Sequence, residues 1–134
     1  MNRLVEARRK AKVLVVDDNL ELLNMLQKMV GKAGHEAYLA DDGDGALMLA
    51  EKHDFDLIIT DLIMPGREGV EAIRTFKKLH PRTKIVAMSG GGRHASDSDY
   101  FGMAENLGVA GTLVKPFSML MFLQTVSRQL GGEY

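Results

Sequence analysis

Short apolar runs alternate along the chain with segments in which apolar residues recur every three or four positions. The apolar runs have the length of β-strands and fall at 12–16, 36–40, 55–60, 84–88 and 111–114. The periodic segments have the spacing of amphipathic helices and fall at 22–33, 46–53, 70–79, 96–107 and 118–130. This alternation predicts an α/β domain in which a parallel sheet is covered by helices on both faces.

Several residues mark where the predicted helices begin and end. Asn19 is a favoured residue for capping the first helix, and Gly34 is suited to end it. The segment 43–45, Gly-Asp-Gly, is predicted to be a turn before the second helix, and Pro81 to end the third. The last helix is predicted to bury one stripe of apolar residues, namely Leu120, Leu123, Val126 and Leu130.

Size and composition narrow the class of protein. A chain of 134 residues is enough for one domain, predicted here at 12–130, with a leader at 1–11 and a tail at 131–134. A net charge of −1 gives no electrostatic reason to bind nucleic acid or an anionic membrane, and no apolar stretch has membrane-spanning length. The absence of cysteine excludes disulfides and thiolate chemistry. We therefore expect a cytoplasmic protein that contacts neither membrane nor nucleic acid directly.

Charged and hydroxyl side chains stand at the carboxyl ends of four predicted strands. Asp17 and Asp18 follow the first strand, Asp61 the third, Ser89 the fourth and Lys115 the fifth. In an open parallel sheet all these ends face one crevice, where such folds bind their ligands. Three carboxylates, a hydroxyl and an ammonium group in one pocket suit a divalent metal and a phosphoryl group.

Each of these residues also has a plainer interpretation. Asp17 and Asp18 alone could be solvated helix caps, but Asp61 at a matching strand end favours a shared site for an oxygen-preferring ion such as Mg²⁺. Lys115 alone could be a solvated strand end, and Ser89 a turn residue. The glycines at 90–92 lack the spacing of a phosphate-binding P-loop and are predicted to form a flexible connection. The four histidines are predicted to be solvated.

Four stretches together carry a family resemblance. They are KVLVVDDN at 12–19, DLIITDLIMPGREG at 56–69, IVAMSG at 85–90 and GTLVKPF at 111–117. In this order and spacing the chain resembles, over nearly its whole length, the receiver domain of two-component response regulators. The resemblance implies a flavodoxin-like, doubly wound sheet of five parallel strands in the order 2-1-3-4-5 with five helices.

The resemblance also assigns a metal site and a reactive carboxylate. Asp61 would be the phosphoacceptor, a carboxylate nucleophile phosphorylated from a sensor histidine kinase. Asp18 and Asp61 would ligate Mg²⁺ directly, together with the backbone carbonyl of Ile63. Asp17 would act mainly through a metal-bound water.

Further residues would hold the phosphoryl group. Lys115 would pair with its oxygens, Ser89 would donate a hydrogen bond to one of them, and Gly90 would lie beside it. The bond between Lys115 and Pro116 would be cis, a state accessible chiefly before proline.

Two departures from the family pattern concern signalling. The family usually carries an aromatic residue three places before the lysine, which turns inward when the serine or threonine at the Ser89 position engages phosphate. Here that place is Thr112, so the switch formed with Ser89 lacks its aromatic partner. Glu68 stands where the family usually has aspartate, which retains an acid near a helix start.

The favoured interpretation is a phosphorylation-controlled binding module that catalyses only its own phosphorylation and dephosphorylation. Its partners would be a sensor histidine kinase or phosphotransfer protein and an unknown downstream protein, and it would be a monomer or weak dimer. One alternative is a Mg²⁺-dependent phosphatase with an aspartate nucleophile. Such enzymes need an acid two residues after the nucleophile, where this chain has Ile63. Another is an interaction domain with an impaired switch, to which Thr112 lends weight.

Overall fold

The computed structural model describes residues 10–63, 69–90, 102 and 104–131. Its strands are β1 (Lys12–Val16), β2 (Glu36–Ala40), β3 (Leu57–Asp61), β4 (Lys84–Ser89) and β5 (Gly111–Val114). Its helices are α1 (Leu20–Lys32), α2 (Gly43–Lys52), α3 (Gly69–Leu79), α4, helical at 102 and 104–106, and α5 (Met119–Gln129). The described residues do not include 96–101 and 103 of the helix predicted at 96–107, the glycines at 91 and 92, or Glu68. Leu107 lies in a turn just after α4.

All five strands form one parallel sheet in the order β2-β1-β3-β4-β5. The prediction of a flavodoxin-like doubly wound fold is therefore confirmed. The chain leaves β1 towards β2 on one side and returns to pair with β3 on the other. This reversal opens a crevice at the carboxyl ends of β1 and β3.

The sheet buries both of its faces, which explains why its central strands are continuous apolar runs. One face carries Leu14 and Ile58 and packs against residues of α2 and α3 such as Ala46 and Phe76. The opposite face packs against α1 and α5. Together the two cores hold the sheet rigid, so the side chains at its carboxyl edge have a fixed support. Among the described residues, no helix combines the length and apolar character that a membrane span needs.

Helix boundaries follow the predictions in two places and depart from them in one. The Asn19 side chain accepts a hydrogen bond from the Leu22 N–H and caps α1, and Gly34 has a φ of 93° just beyond it. The segment 43–45 is not a turn, because α2 already begins at Gly43. The unpredicted cap is Asp42, whose carboxylate accepts from the Gly45 N–H at 2.7 Å and makes a glycine-containing first turn stable.

The stripe predicted for α5 is correct at Val126, and Leu123 and Leu130 pack against the core as partly buried residues, but Leu120 was predicted wrongly. Leu120 is 61% exposed, whereas Phe122 is fully buried and stacks on Phe117 with ring centroids 5.9 Å apart. Phe122 takes the place of Leu120 in the stripe and lies one helical turn before Val126. An aromatic ring buries more apolar surface than a leucine, so Phe122 sets which side of the helix faces the sheet.

The histidines are less solvated than predicted. The side chains of His35, His53 and His80 are half-buried, and His94 lies outside the described residues. His35 Nδ1 accepts from the Ala11 N–H at 3.1 Å, and His80 Nε2 lies 2.6 Å from the carbonyl oxygen of Ala50. These contacts lie around the amino ends of the strands, away from the crevice.

Candidate functional site

The predicted carboxylates and the lysine meet at the carboxyl edge of the sheet. Lys115 Nζ donates to Asp17 Oδ2 at 2.5 Å and to Asp61 Oδ2 at 2.9 Å. These partners lie 98 and 54 residues away in sequence, so only the parallel sheet brings them together. Asp61 is the last residue of β3, and Ser89 the last of β4, where the sequence placed both just after their strands. Because Asp61 pairs in register with Met88, the sheet itself fixes its backbone.

Backbone N–H groups hold the other carboxylate oxygens. Asp17 Oδ1 accepts from the Asn19 N–H at 2.9 Å, and Asp61 Oδ1 accepts from the Ile63 N–H at 3.0 Å. Hydrogen bonds to an ionised acceptor are stronger than neutral ones, so both carboxylates have restricted orientations. Each therefore uses one oxygen for the backbone and one for Lys115.

Three carboxylates lie close enough to hold one cation. Asp17, Asp18 and Asp61 each offer an oxygen, and these oxygens lie within 4.8 Å of one another. Asp17 and Asp61 are buried, while Asp18 is exposed. An all-oxygen, carboxylate-rich donor set that opens to solvent on one side suits Mg²⁺, which retains several waters. The residues present therefore fit the metal that the sequence predicts.

Burial and charge act on the two buried ionisable groups in different ways. Burial raises the pKa of Asp61, although the Ile63 N–H and Lys115 partly oppose the rise. Burial also disfavours the charge on Lys115, but the hydrogen bonds that Lys115 donates to Asp17 and Asp61 outweigh it and raise the pKa of Lys115. Lys115 thus remains a cation, and the pocket holds more negative charge than its one ammonium group neutralises.

Ser89 carries a hydroxyl group that is buried and makes no hydrogen bond to the described residues. The residue is fully buried, and its Oγ has no hydrogen-bond partner among the described residues. An unpaired buried hydroxyl costs about 1–3 kcal/mol. Its backbone carbonyl accepts from the Lys115 N–H at 2.7 Å, which joins β4 to the lysine. Such a group is typical of a site that binds a polar ligand.

The remaining predicted residues are distributed around this pocket. Gly90 follows Ser89 and is half-buried, and Ile63 is 42% exposed beside Asp61. The Lys115–Pro116 peptide is cis, as the resemblance implied. Thr112 is exposed on β5, paired in register with Ala87.

Sequence reasoning missed two contributors to the site. Asn19 was identified as a helix cap, but its backbone N–H also holds Asp17. Gly69 was only part of a motif, yet it packs directly on the backbone after Asp61. A glycine at a helix start after a reactive strand end was the available signal for the second.

Comparison with known proteins identifies the family. The sequence model of the response regulator receiver domain matches residues 13–127. The chain therefore belongs to the response regulator receiver domain family. Among related proteins, the response regulator protein FleR of Pseudomonas aeruginosa is 32% identical over 123 residues, which are 92% of this chain and 25% of FleR. This receiver domain thus spans about a quarter of that relative.

Solved structures agree with this assignment. The chemotaxis response regulator CheY4 of Vibrio cholerae has a TM-score of 0.80 and 32% identity, covering 91% of this chain and all 100% of CheY4. A CheY-like receiver domain protein from Methanospirillum hungatei has a TM-score of 0.84 at 23% identity, covering 92% of this chain and 95% of that one, which is a likeness in fold. The receiver domain thus belongs to the signalling domains of two-component systems.

Proposed function

We propose that this receiver domain accepts a phosphoryl group on Asp61 from a histidine kinase or a phosphotransfer protein, in a Mg²⁺-dependent reaction. The phosphoryl group then changes how the domain binds a downstream protein. The observation that carries this proposal is the arrangement around Asp61. A buried carboxylate lies 2.9 Å from Lys115 Nζ and within 4.8 Å of two further carboxylates.

The acidic cluster would hold the metal. Asp18 and Asp61 would be its direct carboxylate ligands with the backbone carbonyl of Ile63, and Asp17 would act through a water. Bound Mg²⁺ neutralises charge on the transferring phosphoryl oxygens. The mixture of buried and exposed carboxylates in this cluster supports the assignment, because one side remains open to an incoming phosphoryl donor.

Asp61 would serve as the nucleophile. One of its carboxylate oxygens attacks phosphorus, and the bond from phosphorus to the donor nitrogen or oxygen breaks, with its electron pair leaving on the donor. Burial of Asp61 strengthens its electrostatic interactions, and the Ile63 N–H fixes the carboxylate plane before reaction. Preorganisation of this kind is how phosphoryl transfer is catalysed.

Lys115 and Ser89 would receive the transferred group. Lys115 exchanges part of its interaction with the carboxylates for a phosphoryl oxygen, which carries more negative charge. The unpartnered Ser89 hydroxyl donates to another phosphoryl oxygen, and Gly90 next to it leaves space for the group. The hydroxyl's burial without a partner supports this role, since binding phosphate would satisfy it.

The switch would rest on Ser89 more than on residue 112. Thr112 is exposed and too short to act as the inward-turning aromatic side chain usual at this position. Phosphorylation therefore biases two states of the fourth and fifth strand–helix units through Ser89. Titration with beryllofluoride, a phosphoryl mimic, should shift amide NMR signals of 84–90 and 108–115. An absence of shifts in a protein that binds the mimic would instead favour the receiver-fold interaction domain with an impaired switch.

The direct test is phosphorylation by acetyl phosphate with and without Mg²⁺, followed by intact mass. Wild type should gain the mass of one phosphoryl group only with Mg²⁺, and Asp61→Asn should gain none. Asp54→Asn, which changes a carboxylate on the exposed surface at the other end of the sheet, is the matched control and should be labelled like wild type. Equal labelling of wild type and Asp61→Asn, or labelling of neither, contradicts the proposal.

A further inference from the structure

We infer that Gly69, the first residue of α3, is a positioning residue that sets the orientation of the Asp61 carboxylate through one peptide group. The inference rests on the proposed function, in which Asp61 accepts the phosphoryl group. Gly69 is buried. Two hydrogen bonds link it to the carboxylate, one to the Leu62 carbonyl and one from the Ile63 N–H.

The peptide between Leu62 and Ile63 joins these two hydrogen bonds. Its carbonyl oxygen, on Leu62, accepts from the Gly69 N–H at 3.2 Å. Its N–H, on Ile63, donates to Asp61 Oδ1 at 3.0 Å. Because a peptide group is planar, a donor that holds its carbonyl also fixes the direction of its N–H. Gly69 therefore determines where the N–H that holds the Asp61 carboxylate points.

The first turn of a helix makes such a donor available. The first N–H groups of an α-helix have no partner within the helix, so Gly69 can donate to a group outside it. The Leu62 carbonyl is the group it reaches, and α3 is thereby tied to the residues that follow β3.

Only glycine permits this approach. A Cβ at position 69 would lie 2.4 Å from the Asp61 carbonyl oxygen, 2.5 Å from Leu62 Cα and 2.7 Å from the Leu62 carbonyl oxygen. All three are backbone atoms, which cannot rotate away as a flexible side chain could. Either the peptide or α3 must therefore move if any side chain is introduced at this position.

The strand side of the contact cannot easily yield. The Leu62 N–H donates to the Met88 carbonyl at 2.9 Å, and the Thr60 hydroxyl donates to the Asp61 carbonyl at 3.2 Å. These bonds tie the preceding backbone to β4 and β3, so a Cβ at 69 would tilt the Leu62–Ile63 peptide or push α3 away. Both movements weaken the hydrogen bond to Asp61 Oδ1.

Gly69→Ala tests this inference, with Gly31→Ala as the matched control. A Cβ at Gly31, within α1, meets nothing within 4 Å. We expect Gly69→Ala to slow phosphorylation by acetyl phosphate about tenfold, as loss of a charged hydrogen bond in the reactive geometry would. Exchange of the Ile63 amide hydrogen should accelerate by more than the change in global stability explains. Gly31→Ala should leave both the rate and the Ile63 exchange as in wild type.

A merely structural role for Gly69 gives a different result. In that case Gly69→Ala lowers global stability, measured by urea denaturation, while Ile63 exchange changes by the same factor and the folded protein reacts at the wild-type rate. That outcome overturns the inference. Labelling of Asp61→Asn would contradict the proposed function instead, and it leaves the exchange results unaffected, so the two failures are distinguishable.

If Gly69→Ala does not fold, hydrogen exchange in wild type and Asp61→Ala decides. The Ile63 and Gly69 amides should both be protected in wild type. Of these two amides, Asp61→Ala removes the acceptor of Ile63 alone, so Ile63 exchange should accelerate about tenfold or more while Gly69 remains protected. An Ile63 amide that is unprotected in wild type, or loss of Gly69 protection together with that of Ile63, contradicts the proposed order of contacts.

Discussion

Thr83 lies directly before β4 and Ser89 is its last residue, and both carry a buried hydroxyl. The Thr83 hydroxyl donates to the Phe55 carbonyl at 2.8 Å, whereas the Ser89 hydroxyl has no partner among the described residues. The hydroxyl before the strand thus stabilises the fold, whereas the hydroxyl at its end makes no such bond within the described residues. An unpaired buried hydroxyl lowers the free energy of unfolding, so a protein retains one mainly where the hydroxyl serves binding.

Carboxylates at the two ends of the sheet differ in the same way. At the amino end, Asp56 is exposed and accepts from the Lys12 N–H at 2.8 Å, which satisfies the first N–H of β1. At the carboxyl end, Asp17 and Asp61 are buried side by side and share Lys115. The first arrangement needs no ligand, whereas the second concentrates negative charge that a metal or phosphoryl group would rearrange. The amino end therefore supports the fold, whereas the carboxyl end gathers buried charges and an unpaired hydroxyl that reduce stability.

Removal of the shared lysine should have the largest effect on stability. Lys115→Ala leaves two buried carboxylates without their cation, and breaking a buried pair in this way costs about 3 kcal/mol. We expect the free energy of unfolding, measured by urea denaturation at neutral pH without metal, to fall by about that amount. Added Mg²⁺ should restore part of it by neutralising the carboxylates.

The matched control is Lys12→Ala at the amino end. Lys12 Nζ lies 5.9 Å from the centre of the Tyr38 ring, a contact that contributes about 0.5–1 kcal/mol at an exposed position. This variant should lose less than about 1 kcal/mol, with no response to Mg²⁺ beyond that of wild type. Equal losses in the two variants would remove the distinction between the two ends.

The hydroxyls of Thr83, which lies directly before β4, and of Ser89, its last residue, offer the next comparison. Thr83→Val leaves the buried Phe55 carbonyl without its donor and should reduce the free energy of unfolding by about 1–2 kcal/mol, while phosphorylation proceeds as in wild type. Ser89→Ala removes a group that had no partner among the described residues. The free energy of unfolding should therefore rise, or fall by no more than about 0.5 kcal/mol. Phosphorylation of Ser89→Ala by acetyl phosphate should nevertheless slow. A large loss of stability in Ser89→Ala would show that its hydroxyl is structural.

Local pattern was enough to predict most of the fold. The bounds of β1, β2 and β5 were predicted as observed. β1 is a continuous apolar run buried on both faces, whereas β2 and β5 are edge strands that are only partly buried. The helical conformation of 43–45 was not predicted, since the Gly-Asp-Gly sequence favours a turn and the helix start depends on the Asp42 cap. The start of the buried stripe of α5 was predicted wrongly, because the choice between Leu120 and Phe122 is made by packing against the sheet.

For the candidate site, the sequence likewise predicted which residues take part but not how they contact one another. Asp17, Asp61, Ser89 and Lys115 could be identified from sequence because each stands at the end of an apolar run in a parallel fold. The double hydrogen bond of Lys115 and the unpartnered Ser89 hydroxyl could not, since they depend on distances between segments far apart in the chain. The approach of Gly69 to the Leu62 backbone likewise requires the packing of α3 on the strand end.

The smallest expected effect is a difference in how the amino and carboxyl ends of the sheet change the stability of the fold with pH. Burial lowers the pKa of His35 below its ordinary value of 6.5, although Asp56 partly opposes this. The folded state therefore binds fewer protons than the unfolded chain, so the contribution of His35 is complete above about pH 6.5 and is lost as pH falls through its folded pKa. Protonation also removes Nδ1 as the acceptor for the Ala11 N–H. Asp61 has the opposite sign, because burial raises its pKa above 3.8 and acid then favours the folded state.

The measurement is urea denaturation between pH 7 and pH 5 without metal. His35→Asn retains an acceptor near the Ala11 N–H but does not titrate, so its stability should fall less steeply than that of wild type as pH decreases. Asp61→Asn should retain the His35-dependent fall and lose the opposing contribution, which makes its decline steeper where the Asp61 carboxyl would have protonated. If His35→Asn and wild type follow the same curve, the amino end does not titrate through His35, and its hydrogen bond to Ala11 contributes equally at every pH in this range.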